Sequence, residues 1–212
     1  VLGANDGIIS TASLIIGIAS AHATHDNILL TGLAGLVSGA MAMAAGEYVS
    51  VSSQADTEAA DLARERHELA NDHESELNEL TNIYIHRGLT KDLAHKVAVQ
   101  LTAHDALGAH ARDELGITEA MNANPVQAAI ASALTFAVGA ALPLGAAYIT
   151  NEINTISYVS VLSLLFLTIL GGLAAQAGGA NLWKGALRVT FWGALAMAAT
   201  AGIGSMFGVA VA

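Results

Sequence analysis

Residues 28–72 read ILLTGLAGLVSGAMAMAAGEYVSVSSQADTEAADLARERHELAND, and the composition changes character halfway along. Ile28–Gly46 is uncharged, and the apolar pattern continues past Glu47 to Val51. A hydrocarbon core about 30 Å thick takes roughly 20 apolar helical residues to cross, so this half predicts a membrane span. The second half carries Glu58, Asp61, Glu65, Glu68 and Asp72, spaced 3, 4, 3 and 4 apart. That spacing sets five carboxylates along one helical face. The stretch therefore reads as a membrane helix that continues into a charged one as far as about Ala70.

Four more apolar runs lie outward from it: Val1–Ala21, broken only by Asn5 and Asp6, and the uncharged Val126–Ile149, Ile156–Ala180 and Val189–Ala212. The first has no basic flank and no small-residue cleavage pattern, so it predicts a membrane helix rather than a signal peptide. Pro143 falls inside the third span, where neighbouring helices tolerate it. Gly35-xxx-Gly39 and Gly204-xxx-Gly208 are spacings that let helices approach closely. The chain of 212 residues is 54% hydrophobic and only 12% charged, about half the charge a soluble domain carries.

Residues 55–124 hold fourteen of the eighteen acidic residues, six of the eight Lys and Arg, and six of the eight His. The expected fold is an all-α membrane protein of five transmembrane helices with a three-helix cytosolic insert between the second and third spans. Its parts are the first two spans (1–54), the acidic insert (55–124) and the last three spans (125–212). Within the insert, a second helix is expected from about Asp72 to His86, stopped at Arg87-Gly88. A third starts after Thr90, a candidate N-cap, and ends near Gly116; Asn124-Pro125 marks the return to the bilayer. The connections at 22–27 and 150–155 lack Lys and Arg, whereas the insert and the 181–188 connection carry all eight. The positive-inside rule then puts the insert in the cytosol and the C-terminus outside.

The net charge of −10 excludes nucleic acid and anionic lipid headgroups as expected partners and favours cations. With no cysteine, thiolate metal sites and disulfides are excluded. Like charges at helical spacing repel unless a cation relieves them. Glu76 and Glu79 on the second helix, and His110 and Glu114 on the third, could converge with the first stripe into a cage of oxygen and imidazole ligands. His104, Asp105 and Asp113 lie nearby. A solvated acidic face, offset by Arg64, Arg66 and Lys91, is the plainer account of the same spacing. Carboxylate with imidazole suits Fe2+, Mn2+, Co2+ or Zn2+. The insert has no Glu-x-x-His pair, the spacing of a carboxylate di-iron oxidase; Asp92-x-x-His95 comes nearest. In the spans, Asp6 and Glu47 are ionisable groups that cost roughly 2.5–3.5 kcal/mol at membrane depth, which points to a pathway. Met43, four residues before Glu47, adds a thioether on the same face.

VLGANDGIISTASL (Val1–Leu14) resembles the first-helix signature of the vacuolar iron transporter family. AGLVSGAMAMAAGEYVS, within Gly32–Ser53, resembles its second helix, and ARERHEL (Ala63–Leu69) and Asn124–Gly145 also fit. The resemblance implies a homodimer with the ion path at the subunit interface and proton-coupled export of Fe2+ and related ions. The metal would be substrate rather than a permanent cofactor. The family's cytosolic glutamates match Glu65, Glu68, Glu76, Glu79 and Glu114, and its pathway residues match Asp6, Met43 and Glu47. Plant members have methionines where this chain has His110 and Ala111, so His110 would substitute. The compact loops resemble bacterial members, which implies an inner membrane rather than a vacuole. A membrane-anchored metal sensor and a carboxylate metalloenzyme are the alternatives from other classes.

Overall fold

The computed structural model describes residues 1–117 and 124–211, with side chains described as far as residue 208. Seven α-helices follow one another among the described residues: α1 (Leu2–Ser20), α2 (His25–Asn71), α3 (His73–His86), α4 (Lys91–Asp113), α5 (Pro125–Tyr148), α6 (Glu152–Ala177) and α7 (Leu182–Val211). Five of them, α1, α2, α5, α6 and α7, are long and apolar enough to cross a membrane. The chain divides into two compact units, Val1–Tyr48 with Val126–Ala212, and Val49–Pro125. The unbroken α2 contributes to both.

In the first unit α1 is the helix the others surround. Ile8, Ala12, Ile15 and Ile16 of α1 are almost wholly buried and share a core with Ile28, Ala146, Ala147, Val159, Leu167 and Met197. Small residues let the backbones meet. A Cβ on Gly7 would strike the Phe136 carbonyl of α5 and lie 2.8 Å from the Ala140 nitrogen. One on Gly204 would strike the Gly17 carbonyl, and one on Gly39 the Phe136 ring. Both expected glycine pairs therefore sit at close helix contacts. α5 runs unbroken through Pro143, which is buried against its neighbours. Leu33, Val37, Leu134, Val161, Leu165, Phe191 and Trp192 are exposed on the outside. Such a surface is stable in lipid and not in water, so the chain is a multi-pass membrane protein.

α2 starts three residues and α5 one residue before the expected span, and α6 and α7 start earlier still. α6 begins at Glu152 rather than Ile156, because Asn151 caps it by accepting the Asn154 N–H at 3.2 Å. α7 begins at Leu182 rather than Val189, with the Asn181 side chain accepting the Lys184 N–H at 3.1 Å. Caps start helices inside polar sequence, where an apolar count cannot see them. Ala212, the last residue of the expected fifth span, lies outside the described residues.

The second unit packs α3 against α4 over a small core of Leu80, Ala98 and Ala109, flanked by Leu77, Ile83, Tyr84 and Leu101. Asp72 caps α3, accepting the Ser75 N–H. Gly88 ends it with a φ of 100°, a left-handed turn natural to glycine. Thr90 holds the N-cap position of α4 in an extended conformation, but its side chain makes no capping hydrogen bond. α4 is two helical pieces. Asp105 is non-helical, with φ −160° and ψ 90°, so the expected continuous third helix is broken eight residues before its end at Asp113.

Candidate metal centre

Glu65, one of the five carboxylates on the α2 stripe, alone turns fully inward. It is 2% exposed, whereas Glu68 is exposed and Asp61 is held by Arg64 at 2.7 Å. Glu58 accepts a hydrogen bond from Gln54, and Asp72 is occupied in capping α3. The stripe thus divides its work, and a solvated face describes part of it but not Glu65.

α3 adds Glu76, 7% exposed, and α4 adds His110, wholly buried, and Glu114 at the rim. One ligand atom from each of Glu65, Glu76, His110 and Glu114 lies within 4.8 Å of all the others. His110 Nδ1 is the shared point, 2.8 Å from Glu114 Oε2, 3.1 Å from Glu65 Oε1 and 3.8 Å from Glu76 Oε2. His110 Nδ1 and Glu114 Oε2 share a hydrogen bond, while Glu65 Oε1 and His110 Nε2 are buried without any hydrogen-bond partner. Ligands about 2.1 Å from one divalent ion stand about 3 Å apart side by side and about 4.2 Å apart when opposed. The separations from Nδ1, 2.8, 3.1 and 3.8 Å, lie close to that range, and the whole set, within 4.8 Å, would need only a small inward shift to close on such an ion.

Electrostatics point the same way. Burial pushes the Glu65 carboxyl up to about 7, helped by the charges of Glu114, Glu76 and Glu68 and opposed by His110. Glu76 is raised by burial and then by Glu79; Glu79 is raised by lost hydration and then by Glu114. A group of acids that resist ionising together is one that a dication would relieve.

A second buried acid, Asp113, is satisfied entirely by protein. It accepts from the Tyr84 hydroxyl at 2.7 Å, from Arg87 at 2.6 Å and from Arg112 at 2.7 Å. Burial alone would raise this carboxyl, but the hydrogen bonds from Arg112, Tyr84 and Arg87 hold it well below the usual carboxylate range. Arg87 also lies over the Tyr84 ring, 5.4 Å from its centroid. The network ties the end of α3 to the end of α4, beside Glu114. Helical spacing does not single out Tyr84, Arg87 or Asp105; each is defined only by tertiary contact or backbone break.

The other expected residues are placed differently. Asp6 and Glu47 are exposed and Met43 is half-buried in the first unit. Among the described residues, no further group of three His, Asp or Glu side chains converges as the α2–α3–α4 group does. Glu68 and Glu79 stand beside the four-residue group without joining it.

Five apolar membrane helices define a multi-pass membrane protein, and four converging side chains form a group that could hold a metal ion. A sequence profile of the VIT family matches residues 1–205. The chain is 46% identical over 205 residues to a vacuolar iron transporter of Acanthamoeba castellanii, covering 96% of this chain and 76% of that one. It is 36% identical to vacuolar iron transporter homolog 1 of Oryza sativa subsp. japonica, covering 98% and 72%. A third relative, vacuolar iron transporter homolog 2.1 of Arabidopsis thaliana, is 36% identical over 98% and 79%. The chain belongs to the VIT family. These relatives carry the names of transporters, a non-enzymatic activity.

Proposed function

We propose that this protein exports Fe2+, Mn2+ or a related divalent transition metal from the cytosol in exchange for protons. The observation that carries the reading is the buried meeting of Glu65, Glu76, His110 and Glu114 in a chain that also has five membrane-spanning helices. The names of the relatives, vacuolar iron transporters, support iron as cargo. Imidazole among carboxylates supports a transition metal over Ca2+ or Mg2+.

In this reading the Val49–Pro125 unit is cytosolic and collects the ion, with Glu68 and Glu79 as auxiliary acids at its rim. Asp6, Met43 and Glu47 carry the ion through the bilayer. With Asp6 and Glu47 exposed and Met43 half-buried on a single chain, these groups are suited to a path between two copies in a homodimer. Carboxylates that bind a metal in one step and a proton in the next supply the exchange. The Lys and Arg distribution supports a cytosolic acidic unit and an outside C-terminus, and the compact loops support a bacterial inner membrane over a vacuole.

The test is uptake of Fe2+ or Mn2+ into proteoliposomes with internal pH recorded simultaneously. Metal entering sealed vesicles while protons leave supports export by antiport; metal flux without proton movement rejects the exchange. Undiminished flux in Asp6→Ala removes Asp6 from the path. Metal binding without flux would favour a sensor instead.

A further inference from the structure

We propose that Asp105 is a positioning residue that turns His110 and Glu114 into the metal centre, by ending one helix and capping the next. The inference rests on the reading of that cluster as a metal site and names what assembles it.

The helical phase of α4 carries the argument. At about 100° per residue, Ala94, Ala98 and Leu101 fall within about 60° of one another. Ala98 and Leu101 of this stripe, with Ala109, share the small core with Leu77, Leu80 and Ile83 of α3, and Ala94 is buried on the same side. Continued as one helix, Ala109 would stay on this stripe about 60° round from Ala94, whereas His110 would point about 160° round and Glu114 about 200° round, both away from α3. Yet His110 Nδ1 lies 3.8 Å from Glu76 Oε2 on α3, and His110 is wholly buried. The break at Asp105 removes the conflict. Its non-helical backbone separates the two pieces, so the rotation of the second about its own axis is not dictated by the first, and Ala109 and His110 are both buried there.

The side chain of Asp105 stabilises that break. Asp105 Oδ1 accepts the Gly108 N–H at 3.0 Å, the hydrogen bond of an N-cap residue. A Cβ on residue 108 would collide with Asp105 Oδ2, so glycine leaves the space the carboxylate occupies. At the far end of the same piece, Asp113 is latched by Tyr84 and Arg87 of the α3 end. The segment that carries His110 is thus fixed at both ends, one by a cap and the other by a latch.

Asp105→Ala removes the cap and installs the best helix former at the break. Losing the cap shifts the ratio of broken to continuous helix by about 5-fold, and the gain in propensity by about 3-fold. Together these give roughly 15-fold, all towards the conformer that turns His110 away. Asp105→Asn keeps a cap of equal quality and should behave as the parent. Gly108→Ala should act like Asp105→Ala, and the two changes combined should have less than their summed effect because they break one contact.

Two measurements on the full chain in detergent test this. Without metal, diethyl pyrocarbonate modification is read residue by residue by mass spectrometry. His110 should be protected in the parent, where the exposed His67, His73, His86, His95 and His104 react. In Asp105→Ala and Gly108→Ala, His110 should react about 10-fold faster at unchanged far-ultraviolet helix content, with Asp105→Asn protected as the parent is. In the second measurement, Co2+ titration followed by its visible d–d absorption should weaken about 10-fold in the same two variants only. His110 equally protected in Asp105→Ala and in the parent overturns the proposal. His110 exposed in Asp105→Ala with Co2+ binding unchanged supports Asp105's placing role and overturns the metal-site reading.

Discussion

Lowering the pH from 8 to 6 should weaken Mn2+ binding at the four-residue centre about 10-fold through Glu65 alone. The Glu65 carboxyl, raised to about 7 mainly by burial, must lose its proton before it can hold a metal. The apparent dissociation constant grows by the factor 1 + 10^(pKa − pH), which is about 1.1 at pH 8, about 2 at pH 7 and about 11 at pH 6. Binding should release about one proton from this group at pH 6 and about a tenth of one at pH 8. Glu76 and Glu79, also raised, steepen the dependence further. Calorimetric titration of the full chain with Mn2+, in buffers of different ionisation enthalpy, gives both the affinity and the proton count. Glu65→Gln should bind more weakly at pH 8 and lose about one power of ten from the change between pH 8 and pH 6. An affinity independent of pH in the parent, or a full pH dependence retained in Glu65→Gln, would refute the reasoning.

The same shift has a consequence for the metal-free protein. Because the folded-state value is raised, the Glu65 contribution to stability is present below the ordinary carboxylate value of 4.5 and is lost as pH rises through about 7. The loss amounts to roughly 3 kcal/mol across that window. Metal-free protein should therefore unfold at lower temperature at pH 8 than at pH 5.5, and saturating Mn2+ should restore the difference at pH 8.

Two further outcomes follow from contacts elsewhere. Asp113→Ala removes the acceptor shared by Tyr84, Arg87 and Arg112, and should destabilise the Val49–Pro125 unit by about 1–3 kcal/mol. Hydrogen exchange should show faster opening of α3 and the end of α4, with the α1 core unchanged. Gly7→Leu drives a side chain into the Phe136 backbone and should cost about 1–3 kcal/mol or more, seen as a lower aggregation temperature in detergent. An unaltered melting profile in Gly7→Leu would mean that α1 and α5 do not meet there.

Membrane helices were the most legible part of this chain because lipid imposes a length and a composition that no soluble segment shares. Helix ends in polar sequence were legible where a cap or glycine marks them: Asp72 caps α3 as its position suggests, and α3 ends at His86 before Arg87-Gly88. Span starts governed by Asn151 and Asn181 were not, because hydropathy averages over the polar residues that cap. In the acidic unit, spacing marked five carboxylates on α2 as equivalent, and packing made them unequal. Only Glu65 faces the interior, a distinction that depends on where α3 and α4 lie. The break at Asp105 had a trace in the sequence. Asp is a residue type favoured at N-caps, and His110 and Glu114 are out of phase with Ala94, Ala98 and Leu101. Asp6, Met43 and Glu47 are a different case. Resemblance groups them, whereas the chain by itself leaves both acids exposed and Met43 half-buried.

The smallness of the second core explains why the cluster matters to the whole unit. Leu80, Ala98 and Ala109 are its fully buried apolar residues, two of them alanines that bury little surface. Three polar side chains, those of Glu65, Glu76 and His110, are buried beside them with Glu65 Oε1 and His110 Nε2 left without partners. Each unsatisfied buried polar atom costs about 1–3 kcal/mol, comparable to what burying Leu80 contributes. A dication that coordinates the carboxylates and Nδ1 removes the repulsion among the acids and satisfies Glu65 Oε1. Order in the unit and occupancy of the site are then linked, and linkage is reciprocal. Whatever disorders α4 should release the metal, and whatever releases the metal should loosen α4. On the proposed function, a unit built in this way would hold its ion without a rigid cage, as a site that passes its cargo on requires.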